Sequence, residues 1–155
     1  NLQEHTQWAK FTNYNTSTQV PLIIYNPLTE EKGTTNALIE LVDVYPTLAE
    51  LCHLEFPKHQ MDGKSLVSIL RNPNAEGKAH VFIKKGNGFT LKTKDFSYTE
   101  FIKPEDNSTL TAMLYDHRTD KAENINVVNK EEYKDVVSEL KLILHKAYQN
   151  NIDGK

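Results

Sequence analysis

Cysteine is nearly absent, with Cys52 the only one in 155 residues. A disulfide within the chain is therefore excluded, and one thiol with six scattered histidines at no short ligand spacing builds no zinc site. Cys52 lies in "AELCHLEF" and reads as a small buried thiol at a helix end. Long apolar runs are also missing. The longest, such as "VPLIIY", fall far below the roughly 18 to 20 residues that cross a bilayer, so no membrane span is expected. Charge of one sign is lacking as well. The 18 Lys and Arg against 21 Asp and Glu leave a net charge of −3, which excludes a strongly basic nucleic-acid-binding domain. There is no Gly-rich phosphate loop, no G-x-S-x-G and no paired-carboxylate signature. The opening "NLQEHTQWAKFTNYN" carries neither a start methionine nor an apolar leader.

What is present suffices for one domain with a core. "QVPLIIYNP" (Gln19 to Pro27) is a continuous apolar run bounded by prolines, which predicts a strand buried on both faces. "NALIELVDVYPTLAELCHL" predicts a short strand and then a helix from about Asp43. Asp43 is placed to cap it, Pro46 falls in the first turn, and Leu48, Leu51 and Cys52 share an apolar face. "KSLVSILRNP" predicts a short helix that Pro73 stops. Beyond "NPNAEGK" the pattern changes. "AHVFIKK", "FTLKTK", "FSYTEFIK" and "TAMLYDH" alternate at period two between short turns, which predicts an antiparallel meander. A helix from about Lys130 to Gln149 follows, with Asn129 and Glu132 in capping-box positions. Its stripe of Tyr133, Val136, Val137, Leu140, Leu144 and Ala147 lays it across the sheet.

The expected fold class is α/β, passing to α+β in the second half. Residues 1–78 form the end of a parallel-sheet domain. Residues 79–155 form a four-stranded antiparallel sheet with a C-terminal helix. A lone strand cannot bury both its faces, so the first part is expected to finish a larger α/β domain and the chain to be a fragment.

Three stretches could carry chemistry. "EHTQWAK" sets a carboxylate, an imidazole and an ammonium within seven residues. Its Lys near a His could bind an oxyanion, and the same spacing suits a solvated loop anchored by Trp8. "YDHRTD" (Tyr115 to Asp120) reads as a structural ion-pair cluster. "SYTEF" puts Tyr98 and Glu100 on one strand face, with Glu100 either a paired buried carboxylate or a surface group. His53, His59, His80 and His145 read as surface or packing residues. Asn15 and Asn107 begin glycosylation sequons, which matter only in a host that glycosylates secreted proteins.

Several of these pieces, in this order, resemble the C-terminal part of the sulfatase family in the alkaline-phosphatase-like superfamily. Within it they are most similar to iduronate-2-sulfatase and its bacterial relatives. The carrying stretches are "LQEHTQWAKFTNYNTSTQVPLIIYNP", "LVDVYPTLAELCHLEFPKHQMDGKSLVSIL", "FSYTEF" and "LYDHRTDKAENINVV". The combination of E-H-x-x-W-A-K, V-P-L-I, V-D-x-x-P-T-L and D-G-x-S-L at these separations is specific. The resemblance implies hydrolysis of sulfate esters, with sulfated carbohydrate as the substrate class. It also implies a formylglycine made from the first residue of C/S-x-P-x-R, and a Ca2+ held by an Asp-Asp pair and by an Asp with a following His or Asn. The family places that Asp and its His or Asn just upstream of the E-H-x-x-W-A-K stretch, and none of those residues is in this chain. Cys52 is followed by His-Leu-Glu-Phe, so the resemblance does not make it the nucleophile.

The implied partner is then the N-terminal part of the same sulfatase, bringing metal and nucleophile. This chain alone is expected to bind no metal and to be inactive. Lys10 matches the family lysine that clamps the substrate sulfate, and His5 lies in the same motif as a substrate-binding residue. The resemblance further implies an exported protein, periplasmic, extracellular or lysosomal. Two other readings stand beside it. One is a non-catalytic carbohydrate-binding or assembly module with the sulfatase C-terminal fold, and the other a phosphoric-ester hydrolase of the same superfamily. The nucleophile segment upstream discriminates among them.

Overall fold

The computed structural model describes residues 2–27, 32–55, 57 and 61–153, with side chains described as far as Tyr148. They fall into two compact units: one takes in the residues up to Leu22 and those from Phe82 onward, the other Ile23–Val81. This differs from a division after residue 78 in where the first 22 residues go. They group with the sheet because Asn13 and Asn15 hydrogen-bond to strand and loop residues 75 to 108 positions away.

The first unit carries the short helix α1 (Asn15–Thr18) and is built on the expected meander. Strands β1 (Val81–Lys85), β2 (Gly88–Lys92), β3 (Phe96–Ile102) and β4 (Thr109–Asp116) lie side by side in chain order. β2 pairs antiparallel with β3, Leu91 opposite Tyr98, and β3 with β4, Tyr98 opposite Leu114. Alternation then sends Leu91, Tyr98 and Leu114 to one face, and Thr90, Thr99 and Met113 to the other. Helix α4 (Lys134–Asp153) covers the first face. Its Leu140 and Leu144 close a core with Leu91, Tyr98, Leu114 and Val127, flanked by Tyr133, Val136, Val137 and Ile143. Leu91 and Leu114 are fully buried, each worth about 1.5 to 3 kcal/mol.

The capping box at Asn129 does not form. The chain enters through a 3-10 turn at Glu131–Tyr133 with Lys130 before it and no side-chain cap. Backbone bonds make the turn instead, from Lys130 N–H to the Val127 carbonyl and from Tyr133 N–H to that of Lys130.

In the second unit a 3-10 turn at Leu41–Asp43 runs into α2 (Val44–Leu51), and α3 (Val67–Arg71) ends before Pro73 as expected. Asp43 does precede α2, yet its side chain does not cap it. Its carboxylate is fully buried and accepts the N–H groups of Glu40 and Lys64, both at 2.8 Å, with Lys78 Nζ also 2.8 Å away. The hydrogen bonds of Lys78 and of the two backbone groups outweigh burial and hold the carboxyl below its ordinary value. Thr47 donates to the Asp43 carbonyl and accepts from Leu66 N–H. The buried face of α2 is therefore Pro46, Thr47 and Ala49, whereas Leu48 and Cys52 are exposed. Thr47 can lie on that face because a buried polar group that finds partners costs little.

Neither strand expected in this region forms. Residues 20–26 and 36–40 carry no ladder, and Ile23 and Tyr25 are 90% and 86% exposed. A strand exists by pairing its N–H and C=O groups with a neighbour, and among the described residues no strand lies beside either stretch.

Candidate functional site

The loop that carries His5 and Lys10 has an unusual backbone. Gln3, His5, Thr6 and Ala9 all take positive φ, between 53° and 96°. For Thr, branched at Cβ, this is a costly conformation. The loop holds its shape with a turn at Glu4–Thr6, a bridge between Leu2 and Trp8, and 3.0 Å bonds from Gln3 N–H to the Gln7 carbonyl and from Gln7 N–H to that of Glu4. The Leu2 N–H also bonds the Glu4 carboxylate and draws its pKa down. Trp8 does not anchor the loop, because it is 66% exposed.

The anchor lies just after it, in Asn13, Tyr14 and Asn15. Asn13 is buried, and its amide donates to the Gly88 carbonyl (3.2 Å) and to Thr90 Oγ1 (2.8 Å), which in turn meets Thr99 Oγ1 at 2.7 Å. Asn15 N–H donates to Glu123 Oε2 at 2.7 Å, its side-chain amide meets His117 Nε2 at 3.3 Å, and Lys92 donates to its Oδ1. His117 Nε2 also lies 3.0 Å from Glu123 Oε1. Burial lowers the pKa of Lys92, and the charge of Glu123 acts against that. The two asparagines hold Tyr14 between them. Its ring rests against Tyr115 at 5.8 Å on one side and lies parallel to the His5 imidazole on another, centroids 4.0 Å apart.

Side chains from β2, β4 and the loop after β4 thus converge on Asn13–Asn15, and Tyr14 passes that placement to His5. Lys10 is exposed, a cation presented to solvent on a loop whose base is fixed. His5, stacked on Tyr14 whose hydroxyl reaches Met113, sits on the sheet face opposite α4. Asn13, Tyr14, Lys92 and Glu123 escaped the sequence reading. Glu123 is almost wholly buried at φ 58°, and no local pattern marks such a carboxylate.

The other candidates resolve into structure. Arg118 grips Asp116 with two bonds, 2.8 and 2.6 Å, and Tyr133 donates to the same carboxylate. The guanidinium holds that carboxyl down at about 2. "YDHRTD" is an ion-pair cluster, as expected. Tyr98 and Glu100 share a face, with Glu100 fully buried. His145, read from the sequence as a surface or packing residue, meets Glu100 Oε2 at 2.7 Å. His59 lies outside the described residues. The side-chain nitrogen of Asn15 that would carry a glycan is engaged with His117, whereas Asn107 is exposed.

Among the described residues, no three His, Cys, Asp or Glu side chains lie together as a metal ion would require. Cys52 is an exposed thiol outside any C-x-P-x-R context. The described residues therefore fit neither a calcium ion nor a formylglycine. No helix among the described residues is long and apolar enough to cross a membrane.

An antiparallel sheet with a packed C-terminal helix, and a tethered loop bearing E-H-x-x-W-A-K, define a sulfatase C-terminal domain. The chain belongs to the sulfatase family N-sulphoglucosamine sulphohydrolase, C-terminal, which it matches over residues 3–150. It is similar to an arylsulfatase of Clostridium perfringens, 28% identical over 99% of this chain and 32% of that protein. It is similar also to arylsulfatase K of Mus musculus, 24% identical over 82% of this chain and 25% of the relative. The chain thus spans about a quarter to a third of the length of these relatives. Among solved structures, it overlays a protein in complex with its substrate D-glucosamine-2-N,6-O-disulfate, with TM-score 0.60, 23% identity, and coverage of 72% of this chain and 24% of that one. A 2-O GAG sulfatase gives TM-score 0.57, 22% identity, and coverage of 72% and 25%. These overlays show that the chain shares its fold with the matching part of those structures.

Proposed function

We propose that this chain is the C-terminal part of a sulfatase that hydrolyses sulfate esters of carbohydrate, and that Lys10 binds the sulfate. The observation carrying the reading is the family match over residues 3–150, together with the fixed loop that presents Lys10. Sulfate-ester cleavage builds negative charge on the sulfuryl oxygens and on the leaving oxygen. An ammonium held at a set position stabilises that charge without having to reorganise. His5, its ring set by Tyr14, is the second substrate-binding residue and orients the sugar beside the ester.

The nucleophile and calcium belong, in this reading, to the N-terminal part of the same sulfatase, so residues 1–78 complete its α/β domain. Ile23, Tyr25, Leu41 and Val42, exposed here, then seat against that part. The chain alone turns over nothing. The substrate class is drawn from the glucosamine disulfate and 2-O GAG enzymes that share the fold and from the resemblance to iduronate-2-sulfatase. All three point to sulfated sugars of glycosaminoglycans. An exported enzyme, periplasmic, extracellular or lysosomal, suits such substrates.

Lys10→Ala in the complete enzyme tests the reading. Turnover of a sulfated monosaccharide should fall at least about 100-fold, with the melting temperature unchanged because Lys10 is exposed. Activity within a few-fold of the parent would remove Lys10 from the site.

A further inference from the structure

The face of the sheet that α4 covers holds a pocket. It has a volume of about 270 Å³ and lies between the C-terminal half of α4 and the neighbouring ends of β2 and β3. Phe89, Ile102, Leu144 and Tyr148 give it apolar walls, and the Phe89 and Tyr148 rings meet edge to face at 4.7 Å. Glu100, Asn107 and His145 are its polar lining. The volume lies just below that of drug-sized sites, which suits a single ring.

The charge of the pocket is set by what Glu100 has already accepted. An ionised carboxylate offers about four acceptor positions, and three hydrogen bonds already reach this one. Tyr98 Oη (2.6 Å) is at Oε1, and Thr109 Oγ1 (3.0 Å) and His145 Nε2 (2.7 Å) are at Oε2. Little of its charge is left for a ligand. A surplus of positive groups remains beside the lining. Lys141 is half exposed, and Lys84 Nζ stands 5.0 Å from the centre of the Phe89 ring. The hydroxyl of Tyr148 donates to Asn107 Oδ1 at 3.2 Å, which turns the Asn107 amide group toward other acceptors.

We propose that this pocket is a second carbohydrate site, taking one pyranose ring that bears a single anionic group, carboxylate or sulfate. The apolar walls receive the C–H face of the ring. Asn107, His145 and the Tyr148 hydroxyl serve the ring hydroxyls. Lys141 and Lys84 receive the anion. Polar groups placed around the ring favour a polyhydroxylated ligand over an aromatic acid, and the cations favour an acidic sugar over a neutral one. The site performs no chemistry and does not depend on the assignment of Lys10. On a polymer substrate it would hold one acidic residue away from the ester being cleaved.

Calorimetric titration of the intact protein carrying Lys10→Ala tests this without a contribution from the Lys10 loop. D-glucuronate and D-glucose 6-sulfate are the probes, with D-glucose and benzoate as controls. At least one acidic sugar should bind at least tenfold more tightly than either control, and the tighter of the two identifies carboxylate or sulfate as the preferred anion. Lys141→Gln should weaken that binding about tenfold with an unchanged melting temperature. Tyr148→Phe should weaken it as well while keeping the ring. No binding of either acidic sugar, equal binding of glucose or benzoate, or affinity untouched by Lys141→Gln would each overturn the proposal. A failure of the Lys10 assignment shows separately, as normal turnover in Lys10→Ala, and a failure of the sulfatase reading as no turnover of a sulfated monosaccharide by the complete parent protein.

Discussion

Glu100 shows how a single buried carboxylate is kept charged. Burial alone would raise its pKa, but hydrogen bonds from Tyr98, His145 and Thr109 outweigh it, and the carboxyl sits below its ordinary 4.5. The same contacts push the Tyr98 hydroxyl up, burial first and the Glu100 bond second. A depressed carboxyl contributes stability that is complete above the unfolded pKa and is lost as pH falls through the folded one. Glu100→Gln keeps the shape and removes the charge. It should cost about 2 kcal/mol at pH 7, measured by chemical denaturation, and the difference from the parent should shrink as pH falls below 4.5 and through the lower folded-state value. A difference that stays constant across that range would mean Glu100 does not titrate as described. That Glu100 faces the same way as Tyr98 was legible from strand alternation. Its partner His145 was not, because 45 residues separate them and no local pattern joins a helix imidazole to a strand carboxylate.

At the scale of elements, two of the sequence motifs turn out to grip each other. The aspartate and threonine of V-D-x-x-P-T-L are Asp43 and Thr47, which accept the N–H groups of Lys64 and Leu66 within D-G-x-S-L. Gly63 lets the strands of this clamp meet, since a Cβ there would stand 2.0 Å from the Val42 carbonyl oxygen. Gly63→Ala should therefore cost about 3 kcal/mol, at the upper end of overpacking. Gly86 has open space around it and only its φ of +57° to satisfy, so Gly86→Ala should cost about 1 kcal/mol. Thermal unfolding of the two variants checks the order, and equal losses would remove the close approach at Gly63 as the reason for glycine.

The four strands and α4 were legible because each shows its apolar face at a clean period. The run Val20 to Tyr25 was misread because continuous apolarity says that a segment wants cover, not that a strand stands ready beside it. The face of α2 was misread for the converse reason. Thr47 on that face, and Asp43 just before the helix, are buried polar residues satisfied by groups about twenty places on.

For the whole molecule, the exposed apolar residues set an expectation. Leu22, Ile23 and Tyr25, with Leu41, Val42, Tyr45 and Leu48, are 39% to 90% exposed, more than scattered surface residues normally amount to. If the N-terminal part of a sulfatase covers them, the 155-residue chain alone should bind a hydrophobic dye such as ANS several-fold more strongly than the complete protein. Equal dye binding would count against that cover. The loop bearing Lys10 sets a different kind of constraint, on time. Its base is tied to Gly88, Thr90, Lys92 and Glu123, the last 108 residues further along the chain than Asn15. Contacts so remote in sequence are among the last to be rewarded in folding. At about 5 to 20 residues per second of synthesis, the ribosome delivers Glu123 many seconds after Lys10. The loop that comes first in the chain thus waits for its anchor, and Lys10 takes its place only once β4 and the loop after it have been made.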